Sequence, residues 1–225
     1  MTTPQSALAD LKAFTDTSIA KEMAQYHKVS RVYLGIANPQ IDTLYKIWRK
    51  DTDTAQRIDI ATYLWNSDIH EARIAAAKLL TQARINPDDA VWATIESWVP
   101  DFDAPAIADH ACSAGSRRLV ATPSRLDTVE TWTSHENLWV RRAALVMTLP
   151  WTKQNHPTEN DLIIRDRVLG WIAIYVQDPN WFIQKTVGWW LRDLSKHDAP
   201  RVQAFLTQHG DEIQPFAYKI ASQYL

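Results

Sequence analysis

The chain has one cysteine, Cys112, among 225 residues. One thiol can close no intramolecular disulfide and anchor no cysteine-cluster zinc site, which fits a reducing cytosol. Glycine is scarce, at five residues against eleven prolines, and the segments between them are rich in alanine, leucine and isoleucine. That balance disfavours a β-sandwich and favours helices joined by short turns. No apolar run approaches the ~18 residues of a membrane span, and Met1-Thr2-Thr3-Pro4 begins no basic and then apolar leader. A soluble, cytoplasmic protein with no membrane partner is expected. Positive charge is not in surplus either: 24 Lys and Arg stand against 26 Asp and Glu, a net charge of −2. This argues against a wholly basic nucleic-acid binder, so only the distribution of charge can create a basic surface. Glycine-rich nucleotide loops, a His-Glu-x-x-His pair and a nucleophile elbow are all missing, which disfavours nucleotide-dependent and zinc-dependent enzymes. No cofactor and no metal are expected.

What the chain does have is tryptophan, eleven in all, and a repeated grammar. Asn137-Leu138-Trp139-Val140-Arg141-Arg142-Ala143-Ala144 sets two arginines and a tryptophan at the start of a helix. Trp139 and Arg142 are three apart and share a face, while Arg141 points about a third of a turn away. A guanidinium beside an aromatic plane suits phosphate and base contacts; it equally suits an inter-helix ion pair beside a packed indole. A second copy follows in Asn180-Trp181-Phe182-Ile183-Gln184-Lys185, continuing through Trp189-Trp190-Leu191-Arg192. Asn137 falls on Asn180, Trp139 on Phe182 and Arg142 on Lys185. A weaker third copy spans Ser67 to Ala77, where Arg73 echoes Arg141. Self-similarity at roughly 40 residues predicts an all-α, HEAT- or armadillo-like solenoid, with residues 1–225 as one domain. Arg117-Arg118, Arg125, Arg141-Arg142, Arg165, Arg167, Lys185, Arg192 and Lys196 gather in the second half, with the acids expected elsewhere in their helices and loops.

In chain order, helices are expected over Ile19–Tyr26, Gln40–Arg49, Asp53–Trp65 and His70–Arg84. Gly35 and Asn38-Pro39 mark turns before the second of these. Asn86-Pro87-Asp88-Asp89 reads as a helix start, capped and then acidic, leading to Trp98. Later helices are expected over Pro123–Trp132, Glu136–Leu149, Asn160–Tyr175, a Trp-rich stretch after Asp178-Pro179, Ala199–His209 and Pro215–Leu225. Pro150 to Pro157 reads as a polar loop.

Between these halves lies a second chemical candidate, Trp98 to Ala111. Asp103 can cap a helix that begins near Ala104-Pro105, which leaves Asp109 more than a turn inside, where the helix dipole gives a carboxylate nothing. Phe102, Pro105 and Asp109 fall near one face. Asp109 is thus either a reactive carboxylate or one half of a bridge to an arginine such as Arg142. His110 beside it has no metal-ligand spacing.

These blocks, from Met23-Ala24-Gln25-Tyr26 and Tyr33-Leu34-Gly35-Ile36 through Asn137–Ala144 to Phe182–Trp189 and Leu191-Arg192, resemble the AlkD-like DNA alkylation repair proteins. That family consists of HEAT-like helical solenoids with a concave DNA-binding face and includes glycosylases for N3- and N7-alkylated purines. The resemblance implies that Asp109 occupies the place of the catalytic aspartate and Arg142 that of a DNA-binding arginine. It places Trp189 on one of two tryptophans lining the lesion, and Tyr26 on a tyrosine near the DNA. Arg141 and Lys185 join the expected DNA contacts, and Trp139 the expected lesion-contacting aromatics. The family's other lesion tryptophan, one turn before the aspartate, aligns with Pro105; Trp98 and Phe102 are the nearest aromatics that could stand in.

The chemistry suits these residue types. An N3- or N7-alkylated purine is cationic, so its glycosidic bond is already weakened, and cleavage builds oxocarbenium character on the sugar. A poorly hydrated carboxylate stabilises that charge and orients the attacking water. Aromatic faces hold the cationic base, and arginine holds the phosphate. The expected partner is duplex DNA carrying alkylated bases, bound by a monomer. Whether the base is flipped or read through the backbone stays open. The alternative is a non-catalytic HEAT-like module that binds DNA or protein, with Asp109 as a structural bridge.

Overall fold

A computed structural model describes all 225 residues. It contains thirteen α-helices and short 3₁₀ turns; its only β pairing is an isolated parallel bridge between Val32 and Ile69. The chain packs as two compact units, Met1–Arg118 and Leu119–Leu225. No helix is long and apolar enough to cross a membrane.

The first unit begins with a helix that the apolar spacing does not announce, α1 (Pro4–Lys12). A capping box between Thr3 and Ser6 and a proline in the first turn start it, and Ala7 and Leu11, four apart, are fully buried. Then come α2 (Thr17–His27), α3 (Asn38–Asp51), α4 (Thr54–Asn66), α5 (His70–Leu80), α6 (Asp89–Ser97) and α7 (Pro105–Ala121). The centre of this unit is α5, in which every residue but Lys78 is buried. Its alanines at 72, 75, 76 and 77 let α3 and α4 approach closely. A helix buried on all sides must satisfy its polar groups internally. Glu71 does so by accepting from the backbone N–H groups of Leu34, Gly35 and Ile36 at 2.9, 2.8 and 3.2 Å. That ties down the loop before α3. Gly35 has φ +79, and an added Cβ would lie 2.2 Å from the Asp16 carbonyl oxygen, so the turn requires glycine.

The second unit holds α8 (Leu126–Thr131), α9 (Leu138–Met147), α10 (Glu159–Tyr175), α11 (Trp181–Ser195), α12 (Ala199–His209) and α13 (Pro215–Ala221). Its centre is α11, packed against α9, α12, α13 and the turn after α9. Gly188 permits the tightest approach: a Cβ there would meet the Ala217 carbonyl oxygen at 2.8 Å. Trp190 is fully buried and donates from Nε1 to Thr148 Oγ1 at 3.1 Å.

Several boundaries differ from the sequence expectation by a few residues, the last helix ending at Ala221 rather than Leu225, and three differences have a clear physical cause. The stretch read as a polar loop begins as a 3₁₀ turn, Leu149–Lys153, that buries Trp151 and Thr152. Trp151 donates to Asp161, and its bulk draws the turn into the core. The helix expected to reach Arg84 stops at Leu80, because the carbonyls of Gln82 and Ala83 are taken by the Arg118 guanidinium. Asn86, expected to cap the next helix, lies before its N-cap position, which is taken by Asp88; the Asp88 carboxylate makes no side-chain cap and accepts from Arg118 at 2.9 Å.

Candidate nucleic-acid interface

In the second unit, the two matching stretches build the same local structure. Asn137 precedes α9 and accepts from the Trp139 N–H at 2.9 Å; Asn180 precedes α11 and accepts from the Phe182 N–H at the same distance. Each cap satisfies an otherwise orphaned N–H and fixes where the first helical side chains point. Trp139 and Phe182 consequently meet, their ring centroids 4.7 Å apart.

From this start a run of aromatic rings and cations extends over α9 and α11. The Arg142 guanidinium carbon lies 5.9 Å from the Trp139 ring centroid and 5.7 Å from that of Trp189. Lys185 Nζ lies 4.9 Å from the Trp189 centroid and 4.7 Å from that of Trp181. Trp181, about half exposed, stacks on Phe216 of α13 at 5.7 Å with planes 17° apart. Four of the predicted residues, Trp139, Arg142, Lys185 and Trp189, are therefore brought together. Arg142 is only 3 % exposed. Trp181, Phe182 and Phe216 extend the array beyond the residues expected from sequence. The spacing Trp181, Lys185, Trp189, four apart each time, was the available signal for the first of them.

Arg141, the fifth predicted residue in this unit, is engaged in the fold. Its guanidinium donates to the carbonyls of His135 and Glu136 at 2.8 and 2.9 Å and pairs with Asp178 at 3.0 Å. The same clamp recurs. Arg165, 1 % exposed, donates to the carbonyls of Trp151 and Gln154 and pairs with Asp198 at 3.2 Å. In the first unit, Arg118, fully buried, joins Asp88 to the carbonyls of Gln82 and Ala83. Arg167 pairs with Asp127 and Glu130, and Arg192 with Asp193. The expectation that the acids lie away from the second-half basic residues is thus corrected. Helix ends leave unpaired carbonyls, and a guanidinium has enough donors to take two of them while an aspartate balances its charge.

In the first unit, Asp109 sits on the second turn of α7, partly buried. The neighbouring His110 has its pKa lowered, chiefly by burial and then by the Lys78 charge, against the opposing pull of Asp109 and Asp42. Asp109 thus stands beside an imidazole held neutral. Pro105 is the first residue of α7, where its missing N–H costs nothing. Of the two aromatics nearest in sequence, Trp98 is 3 % exposed and stacked on Trp65 at 4.3 Å, and Phe102 is 1 % exposed. Asp103, expected as a cap, pairs with Arg31. Tyr26, at the end of α2, is 82 % exposed, its ring edge-on to His27. Behind it, His27 stacks on Tyr33, and both rings lie against the buried His70.

These features define an all-α repeat protein that carries an array of aromatic rings and cations. The chain belongs to the DNA alkylation repair enzyme family, whose model matches residues 7–225. Among solved structures it is similar to a predicted DNA alkylation repair enzyme from Enterococcus faecalis, at 22% identity over 94% of this chain and 96% of that one, with a TM-score of 0.77. It is also similar to AlkD2 from Streptococcus mutans, at 22% identity over 84% of this chain and 91% of that one, with a TM-score of 0.64. No curated protein matches. Family membership gives the chain a role in DNA repair, with DNA as its partner.

Proposed function

We propose that this protein is a monofunctional DNA glycosylase that releases N3- and N7-alkylated purines from duplex DNA, acting as a monomer without cofactor or metal. The observation that carries the proposal is the array of Trp139, Arg142, Trp189, Lys185 and Trp181, whose indole faces already hold cations at 4.7–5.9 Å. Faces that attract a guanidinium or an ammonium attract a cationic purine by the same quadrupole, at about 0.5–2 kcal/mol per contact. Lys185 and the exposed Tyr26 supply contacts to the DNA. In the reaction water adds to C1′ as the bond from C1′ to the purine nitrogen breaks. The bonding pair returns to the base, cancelling its positive charge, and the proton of the water passes to solvent. Asp109 stabilises the positive charge on the sugar as that bond lengthens and orients the water.

The test is release of 7-methylguanine from methylated duplex DNA by wild type and Asp109→Asn, with duplex affinity measured on both. Asn keeps the size and removes the charge, so excision should fall at least about 100-fold, roughly 3 kcal/mol, while affinity holds or rises slightly. Excision by Asp109→Asn at the wild-type rate overturns the assigned chemistry.

A second reading is a DNA-binding module without catalysis. The burial of Trp98 and Phe102 favours it, since neither offers an open ring in place of the tryptophan replaced by Pro105. Wild-type protein that binds duplex DNA and releases no base would establish it.

A further inference from the structure

Lys185 occupies an unusual position for a residue expected to contact DNA. It lies midway between Trp181 and Trp189 on α11, four residues from each, so all three side chains project from one face. Its ammonium is 4.7 Å from one ring centroid and 4.9 Å from the other, within cation–π range of both. Arg141, Arg165, Arg167, Arg192 and Arg201 in the same unit are each neutralised by an aspartate or glutamate. The charge of Lys185 is met by indole faces.

We propose that Lys185 is an internal stand-in for the cationic base, and that its departure to a DNA phosphate is what opens Trp181, and the part of Trp189 that its ammonium covers, for the lesion. This rests on the aromatic array being the base-holding surface. An ammonium and a cationic purine cannot share the same ring positions without like-charge repulsion, so one must leave for the other to bind. An ammonium is a compact, strongly hydrated cation on a flexible four-carbon stem, readily drawn from a partly wet indole to a phosphate oxygen. A delocalised purinium is the opposite case, broad and flat enough to cover an indole face. The exchange therefore moves each cation to the partner that suits it better. Binding of the DNA backbone and exposure of the aromatic surface become one event, and free alkylated bases or nucleosides, which bring no phosphate, meet a surface already occupied. Lys185 thereby determines specificity for lesions carried in DNA over the same lesions free in solution.

The experiment compares wild type, Lys185→Met and Lys185→Arg in two binding titrations, neither of which reads excision. The first uses 7-methylguanosine, at a pH where its base is cationic, with guanosine as the neutral control. The second follows affinity for an unmodified duplex against salt. Methionine keeps the length and apolar stem and removes the charge, so Lys185→Met should bind 7-methylguanosine about tenfold tighter than wild type. Its logarithmic salt slope on the duplex should shrink by about one unit, the signature of one lost phosphate contact. Lys185→Arg keeps a cation over the rings and should track wild type in both. Unchanged or weaker binding of 7-methylguanosine by Lys185→Met overturns the proposal, because the ammonium then blocks nothing. An unchanged duplex slope overturns it too, because the ammonium then goes to no phosphate. Should the protein prove to excise nothing, both titrations still decide the role of Lys185; should Lys185→Met behave as wild type, the glycosylase proposal still stands on the excision assay.

Discussion

At the scale of single residues, the main lesson concerns arginine. A guanidinium near a helix start can serve a phosphate or a neighbouring carbonyl, and the residue type does not say which. Arg165 is the clearest case. It lies almost fully buried on α10, holds the carbonyls of Trp151 and Gln154, each at 2.9 Å, and pairs with Asp198. Removing it would take a donor from the buried Trp151 carbonyl and the part-buried Gln154 carbonyl, and leave an aspartate short of a partner. Arg165→Met, similar in stem and lacking the head group, should therefore cost about 3–5 kcal/mol of unfolding free energy in urea titrations. A loss under about 1 kcal/mol would mean that water or Arg201, which also donates to Asp198, takes over its role. Duplex DNA affinity of the folded fraction should not change, which separates a structural arginine from a DNA-contacting one.

At the scale of elements, the asparagine caps give the repeats their common form. Asn137 and Asn180 occupy equivalent positions in sequence and make equivalent bonds in structure. The third copy lacks this device: α5 starts at His70 behind Ile69, which provides no side-chain cap, and relies on burial and on the bond from His70 N–H to the Val32 carbonyl. Asn180→Ala should cost about 1 kcal/mol, measured by equilibrium unfolding, whereas Asn180→Asp should nearly preserve stability because aspartate caps equally well. An aspartate variant as unstable as the alanine one would refute capping as the role of Asn180. The helices themselves were largely legible from spacing and caps. Where α5 ends was not, because its C-terminal turn is met by Arg118, more than thirty residues away in sequence.

At the scale of the whole molecule, acid should destabilise the protein well before its carboxylates titrate. His70 is buried against His27 and Tyr33, and its pKa is pushed from 6.5 down to about 3, first by burial and then by the charges of His27, Arg31 and His110. His27 and His110 are also lowered, again chiefly by burial. In the unfolded chain these imidazoles take up protons below about pH 6.5, while His70 in the folded chain stays neutral until near pH 3. The unfolded state therefore holds more protons across that window. Stability is complete above about pH 6.5 and declines as pH falls, by up to about 1.4 kcal/mol per pH unit from His70, with His27 and His110 acting in the same direction. Urea unfolding between pH 7.5 and 5 should show this decline, and His70→Gln should flatten it. Stability that is level across the range, or equally steep in His70→Gln, would exclude His70 as its source.

Much of this protein is determined by residues close to one another in the chain. The scarcity of glycine, the alanine- and leucine-rich periods and the asparagine caps fix an all-helical repeat protein, because capping and helical spacing act within one or two turns. The stripe of Trp181, Lys185 and Trp189 is likewise written into a single helix. Tertiary structure alone decided which cations are committed to the fold, since the pairs Arg118–Asp88, Arg141–Asp178 and Arg165–Asp198 join residues thirty to thirty-seven positions apart. It also decided that Trp98 and Phe102 are core and that Arg142 is buried beside two indoles. Burial depends on which distant element covers a side chain, and no local pattern carries that information.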